Sequence, residues 1–236
     1  MLIKEKVEQH STLNPKLFDL QSELLHPKVL AQIKKIVIEF LKNLSENNIK
    51  IFIKDILLIG SNCAYNYTDS SDIDIHIIAD TSKLKCPDNL YSLLYSAYRT
   101  IFKSKYNIKL YDIPVEMYVE TEDSTRVSNG EYSILNNKWN KKPTKETAII
   151  TDKLIKAVTL KTGELILDTT KVLEENNLDK ITKQIELIYD LRKNSIGTDG
   201  EYSLDNLVFK ELRNAGLLDK LKDKKNELKA DNLSLK

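Results

Sequence analysis

The sequence predicts an α+β fold, with a mixed sheet and flanking helices over residues 1–143 and a helical C-terminal region over 144–236. Three observations predict it. Apolar residues between 51 and 119 fall into three short runs that are β-branched or alternate with a period of two. Before and between those runs, apolar residues recur at three- and four-residue steps, the spacing of an amphipathic helix. Beyond Thr144 the pattern is helical throughout.

Taken in order, the residues before His26 show no clear periodicity and read as an arm or an irregular lead-in. Leu30, Ile33, Ile36, Val37, Phe40, Leu41 and Leu44 then mark a helix that stops near Ser45-Glu46-Asn47-Asn48. Ile51 to Ile59 is a strand ending at Gly60, and Asp72 to Ile78 a second, alternating strand. Pro87-Asp88 opens another helix, with Leu90, Leu93, Leu94, Ala97 and Ile101 expected on its buried side. A third strand spans Val115 to Val119. Asn129 to Trp139 reads as a hairpin with Asn136-Asn137 at its tip, and Pro143 closes it, which sets the domain boundary. The helical remainder covers Ile149 to Leu167, Leu178 to Leu191 and Leu204 to Leu228, broken at Gly216.

The chain of 236 residues is 41% apolar and 30% charged with a net charge of +1, an ordinary globular balance. That balance argues against a protein that holds nucleic acid by bulk charge, while leaving a local basic surface open. Cys63 and Cys86 lack the spacing of a zinc site or a disulfide framework. With no signal-peptide pattern and no apolar run of membrane-spanning length, the expected location is cytoplasmic, with no membrane partner. Nothing in the sequence speaks to oligomeric state.

Chemistry concentrates in Leu58-Ile-Gly-Ser-Asn-Cys-Ala-Tyr-Asn-Tyr-Thr-Asp-Ser-Ser-Asp-Ile-Asp-Ile-His76. Residues two apart in a strand share a face, so Asp72 and Asp74 project together while Ile73 and Ile75 face the core. Two neighbouring carboxylates repel unless a cation lies between them, and magnesium suits carboxylate oxygens. Gly60, directly after a strand, lets backbone approach a phosphate, and Ser61 adds a hydroxyl. Glu116 lies on one face of the third strand. If that strand adjoins the second, three carboxylates can hold two magnesium ions, with manganese as a substitute, and Glu116 is also placed to act as a base. Glu120, on the same face, is the alternative third carboxylate. His76 shares the face of the aspartates and reads as a packing or hydrogen-bonding residue. Tyr132 and Trp139 read as core, and Arg126, Lys161, Arg192, Lys193, Lys210 and Arg213 as candidate cations for binding a substrate.

The hydrophobic strand ending in Gly60-Ser61, followed by Ser71-Asp72-Ile73-Asp74-Ile75 and a later carboxylate, resembles the signature of the DNA polymerase β-like nucleotidyltransferase superfamily. The loop Asn62-Cys63-Ala64-Tyr65-Asn66 with Asp-Ile-His-Ile-Ile-Ala-Asp is more similar to nucleotidyltransferase-domain proteins of bacteria and their large phages. The resemblance covers roughly residues 27–120. It implies a palm fold, Asp72, Asp74 and Glu116 as catalytic metal ligands, and Gly60, Ser61 and Ser71 as nucleotide-binding residues. The implied reaction moves a nucleoside monophosphate from a nucleoside triphosphate, ATP by default, to an acceptor hydroxyl on an RNA 3′ end, a protein or a small molecule. The rival reading is a non-catalytic nucleotide-sensing or partner-binding module of the toxin–antitoxin kind that retains the same palm.

Overall fold

Pro27 opens the first helix, α1 (Pro27–Glu46), with a backbone angle already helical. Its Val29, Ile33, Ile36, Val37, Phe40 and Leu44 are buried, as the sequence period requires. The helix ends at Asn47 and Asn48, the latter in the left-handed region at φ +57° that asparagine tolerates. The computed structural model describes residues 9–83, 88–122, 124, 126, 128–145, 151–198 and 202–234. Two units result, Glu8–Glu146 and one containing Thr147–Lys236.

The first unit is built on a six-stranded mixed sheet. Its strands are β1 (Ile53–Ile59), β2 (Ile73–Ala79), β3 (Lys109–Leu110), β4 (Ile113–Thr121), β5 (Glu131–Ser133) and β6 (Lys138–Lys141), in the order β3-β4-β2-β1-β5-β6. β2 and β4 are parallel and all other pairs antiparallel. Leu58, Ile73, Ile75 and Ile77 form one core with α1 and with α2 (Asp88–Lys105).

α2 turns a different side inward from the one its leucines suggest. Tyr95 and Phe102 are buried and Tyr91 and Tyr98 pack against the core, while Leu90, Leu93 and Ile101 are 52%, 69% and 50% exposed. The tyrosines bring larger rings, and Tyr95 can satisfy its hydroxyl at Lys50 O, 2.9 Å away. Phe102 meets Phe40 edge-to-face at 5.3 Å. An aromatic with a reachable acceptor outcompetes leucine for this core.

The described part of the lead-in, residues 9–26, is irregular yet buries four apolar side chains. Leu13, Leu17, Phe18 and Leu25 are all at most 3% exposed. The β5–β6 hairpin packs on this segment. Trp139 stacks on Phe18 at 5.3 Å and donates from Nε1 to Glu23 O at 2.8 Å. Tyr132 is fully buried, and Trp139 is partly buried and packs against the same core.

In the second unit, helices α3 (Asp152–Glu174), α4 (Leu178–Thr198), α5 (Leu204–Asn214) and α6 (Leu217–Leu233) enclose their own core around Val158, Ile181, Ile188, Val208, Leu212 and Leu221. Thr151 and Ser203 cap α3 and α5 through side-chain oxygens that accept from Leu154 and Asn206 backbone N–H groups. Gly216, at φ +70°, makes the turn between α5 and α6. Lys161 pairs with Asp205 at 2.6 Å and Arg192 lies over the Phe209 ring, so both have structural partners within this unit. Among the described residues no helix is long and apolar enough to cross a membrane.

Candidate active site

The strand registers convert the alternation of the sequence into a grid on the sheet face opposite the Ile73–Ile75–Ile77 core. Asp74 lies between Ile59 of β1 and Glu116 of β4. His76 lies between Leu57 and Tyr118, and Ile78 between Asp55 and Glu120. Register therefore decides between the two glutamates: Glu116 is directly beside Asp74, and Glu120 is four residues further along the strand, roughly 13 Å away.

Asp74 sits over the turn that follows β1. Gly60 has φ +81° and ψ −168°, a region that essentially only glycine occupies. A Cβ at this position would stand 2.3 Å from Asp74 Oδ2, so the backbone conformation and the neighbouring carboxylate both demand glycine. A short 3₁₀ turn, Ser61–Cys63, follows. Ser61 Oγ donates to Ser71 Oγ at 2.8 Å, and Ser71 Oγ accepts from the Thr68 N–H at 2.9 Å. The two serines named from the sequence thus meet and tie the two ends of the loop together. Asp72 lies one residue before β2, where Asn62 Nδ2 donates to its carbonyl at 2.8 Å. Asn62 is 1% exposed and accepts from Asn14 Nδ2 at 2.7 Å. The lead-in is therefore braced against the loop that carries the candidate site.

Glu116 is held on its other side. Its Oε1 accepts from Lys103 and its Oε2 from the Tyr118 hydroxyl at 2.6 Å. Burial pushes this carboxyl up, but the Lys103 and Tyr118 hydrogen bonds and the Lys103 and Arg99 charges together hold it below the usual range. Tyr118 is raised, first by burial and then by the Glu116 carboxylate. The Arg99 guanidinium lies over its ring at 4.5 Å, and the His76 imidazole stacks on it at 4.6 Å. His76 Nδ1 in turn lies 2.9 Å from Glu120 Oε1, at ion-pair distance without the alignment of a full hydrogen bond. Arg126 Nη1 stands 3.7 Å from Glu120 Oε2. Glu120 is lowered, chiefly by His76, against its own burial and with help from Arg126.

Three carboxyl groups are thus brought to one end of two adjacent strands, but Glu116 is turned to Lys103 and Tyr118. Among the described residues no group of three or more His, Cys, Asp or Glu side chains converges as a metal cage would. By donor chemistry Asp72 and Asp74 fit magnesium, which binds through one or two carboxylates and fills its remaining positions with water and phosphate oxygens. Lys103, Arg99 and Asn62 escaped the sequence reading because each acts through a partner ten or more residues away; Tyr118, two residues from Glu116, offered a local signal.

Comparison with protein-family models, with curated proteins and with solved structures returned no match to this chain.

Proposed function

We propose that this chain is a metal-dependent nucleotidyltransferase with a polymerase β-like palm. The observation that carries the reading is the register of β2 with β4, which puts Glu116 beside Asp74 while Gly60 yields the space for the Asp74 carboxylate. In the proposed reaction an acceptor hydroxyl attacks the α-phosphate of a nucleoside triphosphate. The acceptor O–Pα bond forms, the bond from Pα to the bridging oxygen of the β-phosphate breaks, and pyrophosphate leaves. The backbone of the Gly60-Ser61 turn, with the Asp74 carboxylate packed against Gly60, is the segment proposed to meet the triphosphate. Glu116, kept ionised by its neighbours, is the group to receive the acceptor proton. Asp72 and Asp74 would hold magnesium, with Glu116 completing the set for a second ion on release from Lys103. Bound there, magnesium would neutralise charge on the triphosphate and the departing pyrophosphate.

The hold of Lys103 and Tyr118 on Glu116 also favours a second reading, a nucleotide-sensing or partner-binding module that keeps the palm without turnover. One experiment separates the two. Purified protein is incubated with magnesium and each α-labelled nucleoside triphosphate, with and without cellular RNA, beside a variant carrying Asp72→Asn and Asp74→Asn. Label that enters RNA, protein or a small acceptor with the wild type alone is the expected result. Triphosphate binding with no transfer to any acceptor selects the sensing module.

A further inference from the structure

A cavity of about 580 Å³ opens where the lead-in, the start of α1 and the β3–β4 turn meet, lined by Pro15, Lys16, His26, Pro27, Lys28 and Tyr111. Among the described residues two lysines and no acidic side chain line it. Neither Lys16 nor Lys28 makes an ion pair with another described residue. The His26 imidazole is turned to Pro15 O at 3.1 Å and so helps to build the wall. Tyr111 is 54% exposed at the tip of a two-residue hairpin turn in which Tyr111 and Asp112 have φ of +49° and +67°. Turns of that form favour Asn-Gly, so a tyrosine is held there against its backbone preference.

The topology fixes which end of the sheet this cavity serves. Lys16 follows by two residues Asn14, whose side chain binds Asn62 beside Ser61. The Leu25 N–H donates to the hydroxyl of Tyr132, which pairs with Leu58 near the end of β1. The Tyr111 turn leads directly into β4, whose Val115 pairs with Ile73, the residue after Asp72. All three walls therefore belong to the end of the sheet that carries Asp72 and the Gly60-Ser61 turn.

We propose that this cavity is a subsite for a nucleoside phosphate belonging to the acceptor, with Lys16 and Lys28 on the phosphate and Tyr111 stacked on the base. Two ammonium groups without an ion-pair partner among the described residues select an anion, and an exposed aromatic ring beside them selects a flat partner, the pairing of contacts used on single-stranded nucleic acid. The inference deepens the transferase reading and rests on it, since it names the acceptor class. Such a ligand has two sources, the 3′ end of an RNA strand or a free nucleotide.

The test is binding by the full chain, without metal, of a fluorescent short oligoribonucleotide and of a fluorescent mononucleotide, followed by anisotropy across a salt series. Replacing Lys16 and Lys28 together by Ala should weaken binding at least about tenfold and flatten the salt dependence by about two counterions, one per lysine. Tyr111→Asn, which suits the left-handed turn, should weaken binding about tenfold while leaving the salt slope unchanged. Much tighter binding of the oligonucleotide identifies a chain end, and equal binding identifies a free nucleotide. Unchanged affinity of both probes in the double-lysine variant overturns the subsite. Transfer activity tells the two readings apart: lysine-dependent binding without any transfer retains the subsite and removes the transferase, and transfer with an unaltered acceptor KM in the lysine variant does the reverse.

Discussion

The two faces of β2 carry opposite chemistry over the same seven residues. On one, Ile73, Ile75 and Ile77 are fully buried in a core shared with α1 and α2. On the other, Asp74 and His76 are set among Glu116, Tyr118 and Glu120, with the small apolar cluster of Leu57, Ile59 and Ile78 beside them. The first face is interchangeable with that of many sheets, since burial of any aliphatic side chain contributes about 1.5–3 kcal/mol. The second is specific. Glu116 and Glu120 are held by named partners, and burial on this face comes from His76 and the Leu57, Ile59 and Ile78 cluster. Stability should therefore be concentrated on one face and activity on the other, one residue apart.

The largest expected effect lies on the polar face. Asp72→Asn with Asp74→Asn should remove transfer to background, a loss of at least about 10³-fold, because phosphoryl chemistry depends on charge neutralisation and positioning. The melting temperature should hold or rise, since a repulsion is removed; transfer that persists would dissociate the acidic face from chemistry. Ile75→Ala, one position along, should do the opposite, lowering unfolding free energy by about 2–5 kcal/mol in a denaturant titration. Gly60→Ala crosses the comparison. Its backbone strain should cost about 1–3 kcal/mol, and the displaced Asp74 carboxylate should reduce activity as well.

Glu120→Gln gives a smaller effect with a definite sign. Its carboxyl is lowered by His76 and Arg126, so its contribution to stability is present above the unfolded-state value and is lost as pH falls through the folded one. The variant should be less stable than wild type at neutral pH, and the gap should close progressively below about pH 4. Smallest of all, Leu93→Ala should change stability within about 0.5 kcal/mol, whereas Tyr95→Ala on the inner side of α2 should be plainly destabilising.

That last pair also marks where the sequence stopped being legible. Strands β1, β2 and β4, and the facing of Asp74 and Ile75, follow from local alternation, which a single chain segment displays in full. α1 was equally clear because its aliphatic residues fall on one stripe. α2 carries two adjacent stripes, one of leucine and isoleucine and one of aromatics, and only the position of Phe40 and the Lys50 carbonyl decides which turns inward. The brace from Asn14 to Asn62 and the grip of Lys103 on Glu116 were invisible for the same reason. Each joins segments whose meeting is a property of the fold, and neither residue alone carries a pattern. The lead-in lacked periodicity because its described residues, 9–26, form turns and bends, although Leu17 and Phe18 are fully buried.

That lead-in bears on how the molecule tolerates shortening. Among the described residues the first helix or strand begins at Pro27, and a chain cut there would keep Asp72, Asp74, Glu116 and the whole Gly60-Ser61 turn. It would also lose Asn14, the buried partner of Asn62, together with the wall that Lys16 gives to the basic cavity. The residues that look most dispensable are the ones on which the position of the acidic loop depends.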